Sequence, residues 1–275
     1  MLKIGLSTCS KTIDEALFAS YREAGIECME IATTYDLYPT LNMKNIRALA
    51  DGYGVKLWSY HLPFLPFREL DISHRDLKDF SVKYLSELIL RAGDVGIERF
   101  VVHPSGEPVA DGERADRMAY AKESLSRLAE VASRVGAVIA VEDLPRSCLG
   151  RDSSEIIELL SADDRLRVCF DTNHLLYEDN LMFLRAVGSK IITTHISDYD
   201  FVDEKHWLPG EGDVRWGELY QALLESGYTG AWMYELGYDA PATITRPRAL
   251  VARDFANNAR EIFAGVAPRA IGIRK

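Results

Sequence analysis

Val168-Cys169-Phe170-Asp171-Thr172-Asn173-His174 and, further on, Ile191-Ile192-Thr193-Thr194-His195-Ile196-Ser197-Asp198 decide how this chain folds. Each is a short apolar run that ends in a side chain able to bind a metal, Asp171 in the first and His195 in the second. Between them, Leu181 to Val187 is amphipathic and long enough for a short helix. A buried strand that presents a polar group where it ends, followed by a helix, is one βα unit. Barrels and open sheets built from such units carry their chemistry at the C-terminal strand ends.

Working outward, the unit recurs. Lys3 to Thr8, Glu27 to Ala32, Val55 to Tyr60, Phe100 to Val102, Ala137 to Val141, Leu166 to Phe170, Ile191 to Thr194 and Trp232 to Tyr234 are apolar runs. At or near their ends stand Ser7, Glu30, His61, His103, Glu142, Asp171, His195 and Glu235. Helical spacing fills the gaps, first Ile13, Ala16, Leu17 and Tyr21, closed by Gly25, then Met43 to Tyr53. Asp71 to Val95 sets Leu77, Phe80, Tyr84, Leu88 and Ala92 on one face and His74 on the polar side. Met118, Ala121, Leu125, Leu128 and Ala132 repeat the pattern before Gly136, and Ser153 to Leu160, Trp216 to Leu224 and Pro247 to Phe263 continue it. Strands alternating with helices predict parallel pairing with crossover connections. Eight units close a barrel of about 250 residues, the usual size of this architecture. The fold expected is α/β, a single (β/α)8 TIM barrel over residues 1–265, with 266–275 a short basic C-terminal tail.

Composition narrows the function. The net charge of −10 argues against a broad basic footprint for nucleic acid. No run approaches the apolar length of a membrane span, and no apolar signal segment opens the chain, so a soluble, cytoplasmic protein is expected. Cys9, Cys28, Cys148 and Cys169 are scattered without a CxxC pair; Cys28 and Cys169 lie inside apolar runs and read as small buried hydrophobes.

Glu142, Asp171, His195 and Glu235 come from four consecutive strands and would converge on one mouth. A lone strand-end carboxylate ordinarily bonds a neighbouring loop. Three carboxylates packed with one imidazole repel one another unless a proton or a cation intervenes. The donor set is mostly hard oxygen and suits one divalent ion, Mn²⁺, Mg²⁺ or Co²⁺, while also admitting Zn²⁺. His174 follows Asp171 by three residues and reads as a further ligand or a hydrogen-bond donor to substrate. His61 and His103 read as sugar contacts or, with Glu142, as ligands of a second metal. The loop Glu204-Lys205-His206 to Pro209-Gly210-Glu211-Gly212 has glycines suited to tight turns near a ligand, and His206 is taken as a substrate contact. Tyr60, Phe64, Phe67, Trp207 and Trp232 are candidate walls of a sugar pocket. Arg151, Arg165 and Arg246 are candidate phosphate contacts by charge alone.

The ordered set His61-Leu-Pro-Phe, Val102-His103-Pro-Ser, Val141-Glu142-Asp, Phe170-Asp171-Thr-Asn-His174, Thr194-His195-Ile-Ser-Asp198, His206-x-x-Pro-Gly-Glu-Gly212-Asp and Tyr234-Glu235-Leu resembles the sugar phosphate isomerase/epimerase superfamily. This is the xylose-isomerase-like TIM barrel group, which includes tagatose 3-epimerases, inosose dehydratases and endonuclease IV. The resemblance covers nearly the whole chain. It implies a metal on Glu142, Asp171, His195 and Glu235, with Glu142 and Glu235 also the acid/base pair, and His174 touching a substrate oxygen. Cys148 stands where the tagatose-epimerase type has a second glutamate, and Phe201 where it has an arginine. Endonuclease IV implies instead a three-metal site at positions matching His61, His103, His174 and Glu204-Lys205-His206.

The reading of these residues is a metal-dependent isomerase or epimerase of a small ketose, aldose or polyol, working through an enediolate. The alternatives are a dehydratase or lyase of a keto-sugar or inosose, an endonuclease IV-like phosphodiester hydrolase, and a non-catalytic sugar-binding barrel. The partners expected are a small-molecule sugar and, optionally, further copies of the chain, with neither nucleic acid nor membrane.

Overall fold

The computed structural model describes every residue except Ser10 and residues 65–69. Eight strands follow the alternation read from the sequence: β1 Lys3–Ser7, β2 Cys28–Ile31, β3 Lys56–His61, β4 Arg99–Val102, β5 Val138–Glu142, β6 Arg167–Asp171, β7 Ile191–His195 and β8 Ala231–Tyr234. They are parallel, each beside its neighbours in the chain, and β8 lies against β1. Between β7 and β8 the wall closes just past the strand ends: Ile196 pairs with Tyr234, its N–H donating to Met233 O at 2.8 Å. The helices α1 Glu15–Ala24, α2 Met43–Tyr53, α3 Lys78–Gly93, α4 Arg114–Ser133, α5 Ser153–Leu160, α6 Asn180–Val187, α7 Trp216–Glu225 and α8 Ala252–Phe263 alternate with the strands. This is the TIM barrel that the repeating unit predicts. None of the described helices is long and apolar enough to cross a membrane.

Local chemistry sets the helix ends. Asp14, Asn42 and Asp152 each accept a backbone N–H of the first turn of α1, α2 and α5, and Gly25 closes α1 with φ of 80°. Two segments differ from expectation. α3 begins at Lys78, because the preceding residues form turns around Asp71, whose carboxylate takes Ser73 N–H and Oγ–H and the guanidinium of Arg117. His74 therefore lies outside the helix, and the buried face is Val82, Leu85, Leu88, Ile89 and Ala92, with Phe80 exposed. α8 begins at Ala252, with the short strand β9 Ile244–Thr245 before it.

The main core lies between the sheet and the helices, while smaller apolar clusters, Cys28 with Trp58, Ala231 and Met233, and Val101 with Ala140 and Cys169, stand apart from it. Trp58 Nε1 donates to Thr193 Oγ1 at 3.2 Å, from β3 to β7, strands that are not neighbours in the wall. Two bulges adjust which side chains share a level. Between β2 and β3 the register passes from Met29–Leu57 to Glu30–Ser59, leaving Trp58 unpaired. Between β6 and β7 it passes from Val168–Ile191 to Cys169–Thr193, leaving Ile192 unpaired and setting His195 opposite Asp171. Because side chains alternate along a strand, the extra residue is what brings those two to one face.

Residues 266–275 are tied to the barrel. β10 Ile273–Arg274 pairs antiparallel with β9, Gly272 N–H donates to Glu211, and Arg274 pairs with Asp213 and lies over Trp207.

Candidate metal centre and active site

The side chains of Glu142, Asp171, His195 and Glu235 meet where β5, β6, β7 and β8 end, with one ligand atom of each within 4.8 Å of the others. His195 Nδ1 stands 2.9 Å from Glu142 Oε1, 3.0 Å from Glu235 Oε2 and 3.8 Å from Asp171 Oδ2. Glu142, Asp171 and His195 are fully buried, and Glu235, 18% exposed, reaches into the cavity above them. Burial opposes ionisation of Glu142, but the imidazoles of His195 and His103 outweigh it and hold its carboxyl well below the usual carboxylate range. Burial lifts Asp171 to about 6, and His195 outweighs burial at Glu235, holding it at about 2. Burial also works against an imidazolium at His195, yet Glu235, Glu30 and Glu142 push it well above the ordinary histidine range. The proton on Nδ1, which faces Glu142, Glu235 and Asp171, thus occupies the space a cation would take. Glu142 Oε2 and Asp171 Oδ2 are buried with no hydrogen-bond partner. Unpartnered buried carboxylate oxygens are costly, and oxygen donors at this spacing fit a divalent ion.

Two further groups flank this centre. His61 Nε2 and His103 Nε2 each lie 3.2 Å from Glu142 Oε2. On the other side, His206 Nε2 lies 2.7 Å and His174 Nε2 3.8 Å from Glu204 Oε1. Three of these rings share one device. Nδ1 of His61 faces Leu62 O at 2.9 Å, that of His174 faces Asp143 O at 2.8 Å, and that of His206 faces Glu235 O at 3.3 Å. A carbonyl only accepts, so each Nδ1 carries a proton; burial opposes a second one, but Glu142 beside His61, Asp171 and Glu204 beside His174, and Glu204 beside His206 outweigh it and push all three rings above the ordinary histidine range. All eight residues singled out from the sequence therefore gather at one mouth.

The cavity above the centre has a volume of about 480 Å³ and is walled in part by Phe64, His103, Arg146, Cys148 and Leu236. Phe64 stacks on His103 with ring centroids 4.0 Å apart. Tyr60, Trp207 and Trp232 are buried and do not line this cavity, and Phe67 lies outside the described residues. The phosphate candidates are placed elsewhere: Arg246 pairs with Glu211, both fully buried, Arg165 pairs with Asp163 and Glu130, and Arg151 pairs with Glu155. Glu211 is thus an anchor for the 266–275 segment, and Asp198 takes the N–H groups of Gly210 and Val214 and the Trp216 indole. Gly212 has to be glycine, since a Cβ there would overlap the Asp198 carboxylate.

Arg146 and Glu107 were not legible as site residues. Arg146, on the loop after β5 with φ of 52°, binds Glu107 Oε2 at 2.9 Å, Asp203 Oδ1 at 2.9 Å and Glu204 Oε2 at 2.9 Å. It joins the loops after β4, β5 and β7. The one available signal was its place four residues after Glu142, on a loop of the barrel mouth.

The chain belongs to the xylose isomerase-like TIM barrel family, whose sequence pattern matches residues 18–257. It is 24% identical over 253 residues to a D-psicose 3-epimerase of Ruminiclostridium cellulolyticum, covering 86% of this chain and 82% of that one. It is 25% identical over 213 residues to a probable endonuclease 4 of Acholeplasma laidlawii, covering 70% of each. Among solved structures, a D-tagatose 3-epimerase-like protein superposes with a TM-score of 0.76 at 23% identity, over 96% of both chains.

Proposed function

We propose that the chain is a divalent-metal-dependent isomerase or epimerase of a small ketose, aldose or related polyol. The observation that carries this is the four-residue centre, in which Glu142 and Asp171 keep unpartnered buried oxygens while Glu235 opens to the cavity. Relatives bearing epimerase names at modest identity point the same way. Glu142, Asp171, His195 and Glu235 would hold a divalent ion, which when bound would supply Lewis-acid polarisation of substrate oxygens and so acidify the adjacent C–H. Glu235, ionised and facing the cavity, takes a proton from that carbon, and Glu142 or the same glutamate returns one. His61, His103, His174 and His206, with their Nε2 atoms turned inward, hold the hydroxyl groups. Return to the opposite face of one carbon epimerises a ketose, and transfer to the neighbouring carbon isomerises it. The test is turnover of a panel of ketohexoses, ketopentoses and inososes in D₂O, read by product NMR and mass. One deuterium on carbon in a product of unchanged formula is expected. Unchanged formula without deuterium rules out transfer through the glutamates, and loss of one water makes the enzyme a dehydratase.

A second reading, a phosphodiester hydrolase, is favoured by the two flanking groups, His61–His103–Glu142 and His174–Glu204–His206, and by the probable endonuclease 4 relative. Against it, Glu107, Glu142, Glu204 and Glu235 line the cavity. Arg146 is its one arginine or lysine among the described residues and is already bound to carboxylates. Such a mouth repels a polyanion. Incubation of abasic-site duplex with Mn²⁺- or Zn²⁺-loaded protein at physiological salt is expected to give no nicking, and robust nicking would reverse the order of the two readings.

A further inference from the structure

We propose that Glu30, at the end of β2, is a positioning residue that reserves Nδ1 of His195 for metal binding by holding the proton of the opposite ring nitrogen. The inference rests on the metal-centre reading above. Glu30 is fully buried, does not line the cavity and so cannot touch a substrate held there. Among the described residues it has no lysine or arginine partner; its carboxylate meets His195 Nε2 at 3.0 Å and accepts the Ser59 hydroxyl at 2.7 Å. A buried carboxylate bonded only to a hydroxyl and an imidazole is costly unless it does something for that imidazole.

What it does follows from the two sides of the ring. Nδ1 stands 2.9 Å from Glu142 and 3.0 Å from Glu235, so those carboxylates would gladly keep a proton there. A neutral imidazole has one N–H. Were it on Nδ1, the lone pair of Nε2 would face the Glu30 carboxylate, lone pair against lone pair. With the Glu30 carboxylate 3.0 Å from Nε2, the one N–H of a neutral ring is best placed on Nε2, donating to that carboxylate, and Nδ1 is left to ligate. In His61, His174 and His206 it is a backbone carbonyl that fixes the proton of one ring nitrogen. His195 uses a full negative charge instead, which also makes its ring a stronger donor. The β2–β3 bulge is part of the arrangement, since leaving Trp58 unpaired sets Ser59 opposite Glu30, where its hydroxyl fixes the carboxylate.

The experiment is calorimetric titration of Mn²⁺ into metal-free parent, Glu30→Gln, Glu30→Met and Ser59→Ala proteins, beside their thermal midpoints without metal. An amide still accepts a hydrogen bond but can also turn its NH₂ toward Nε2, so Glu30→Gln is expected to bind Mn²⁺ about 10- to 100-fold more weakly. Glu30→Met should be weaker still, Ser59→Ala milder than Glu30→Gln, and the metal-free midpoints of the Glu30 variants no lower than the parent's. Either Glu30 variant binding Mn²⁺ as tightly as the parent overturns the inference and leaves the metal centre standing. Affinity lost only in step with a lowered metal-free midpoint also overturns it, because Glu30 would then be merely structural. A parent that takes up no Mn²⁺ removes the metal centre and the inference with it.

Discussion

Arg146 Nη1 lies 2.9 Å from Glu204 Oε2, on the side of that carboxylate away from His206, whose Nε2 lies 2.7 Å from Oε1. One glutamate is thus held at both oxygens, by a cation at the rim and a ring at the centre. The same guanidinium carries Glu107 and Asp203, so removing it frees the loop after β7 rather than the barrel. Arg146→Ala is expected to leave the thermal midpoint within about 2 °C while making the bond after Lys205 roughly tenfold more sensitive to trypsin, the equivalent of about 1.4 kcal/mol of local ordering. Arg146→Lys should restore little, because a point charge cannot span three carboxylates as a planar fork does. Timed digestion with mass detection reads the result, and an unchanged rate at Lys205 refutes the clasp.

Metal removal should be visible in stability. An ion that binds only the folded chain, at a hundredfold excess over its dissociation constant, stabilises it by about 2.7 kcal/mol, or roughly 5–10 °C for a domain near this size. Chelator treatment is expected to lower the thermal midpoint by that amount and Mn²⁺ to restore it. In Asp171→Asn the restoration should fail. A midpoint indifferent to chelator and metal in the parent would remove the centre.

Glu235→Gln separates ligation from proton transfer. The amide oxygen can still face an ion but has no site for a proton, so kcat should fall about 100- to 10,000-fold. Mn²⁺ affinity should fall far less. Calorimetry beside solvent-deuterium exchange of the substrate decides it; a variant that exchanges at the parent rate excludes Glu235 as the proton carrier.

The Glu211–Arg246 pair, with both side chains 0% exposed, predicts a stability effect away from the chemistry. Glu211→Ala strands a buried guanidinium and releases Gly272 N–H, and should cost about 3–5 kcal/mol. Glu211→Leu with Arg246→Met should cost much less. Urea unfolding of the two proteins is the comparison, and equal midpoints would show that the charge itself is not what matters.

The barrel and its centre were legible because both depend on short-range pattern. An apolar run and the polar residue that ends it name a strand and its mouth together, so Glu142, Asp171, His195 and Glu235 could be read without knowing a contact. Loops gave no such handle. Arg246 carried the same charge as Arg146, yet one is locked under the 266–275 segment and the other at the rim, and the difference lies in backbone paths no periodicity encodes. The face of α3 differs from the apolar pattern at Phe80, because apolar identity alone does not fix the buried side: Ser81 and Val82 face the core and Phe80 does not. Glu30 is legible as a strand end, but its contact with His195 runs from β2 to β7, strands that are not neighbours in the wall, and no spacing in the sequence encodes it.

The seam of the barrel has a consequence for how the molecule is held shut. Every other pair of neighbouring strands is laced by at least two register pairs, whereas among the described residues β7 and β8 share one backbone bridge, Ile196 with Tyr234, backed by Thr194 Oγ1, which donates to Ala231 O at 3.0 Å and accepts Met233 N–H at 3.3 Å. His195 and Glu235 are the chain neighbours of those two residues, one on each edge of the gap. A cation gripped by both would act as a rivet through the joint with the fewest backbone pairs in the wall, so that a chelator would loosen a hinge as well as empty the centre. The amide hydrogens of Ile196 and Glu235, which donate across that joint at 2.8 and 3.3 Å, are where the loosening would first exchange with solvent.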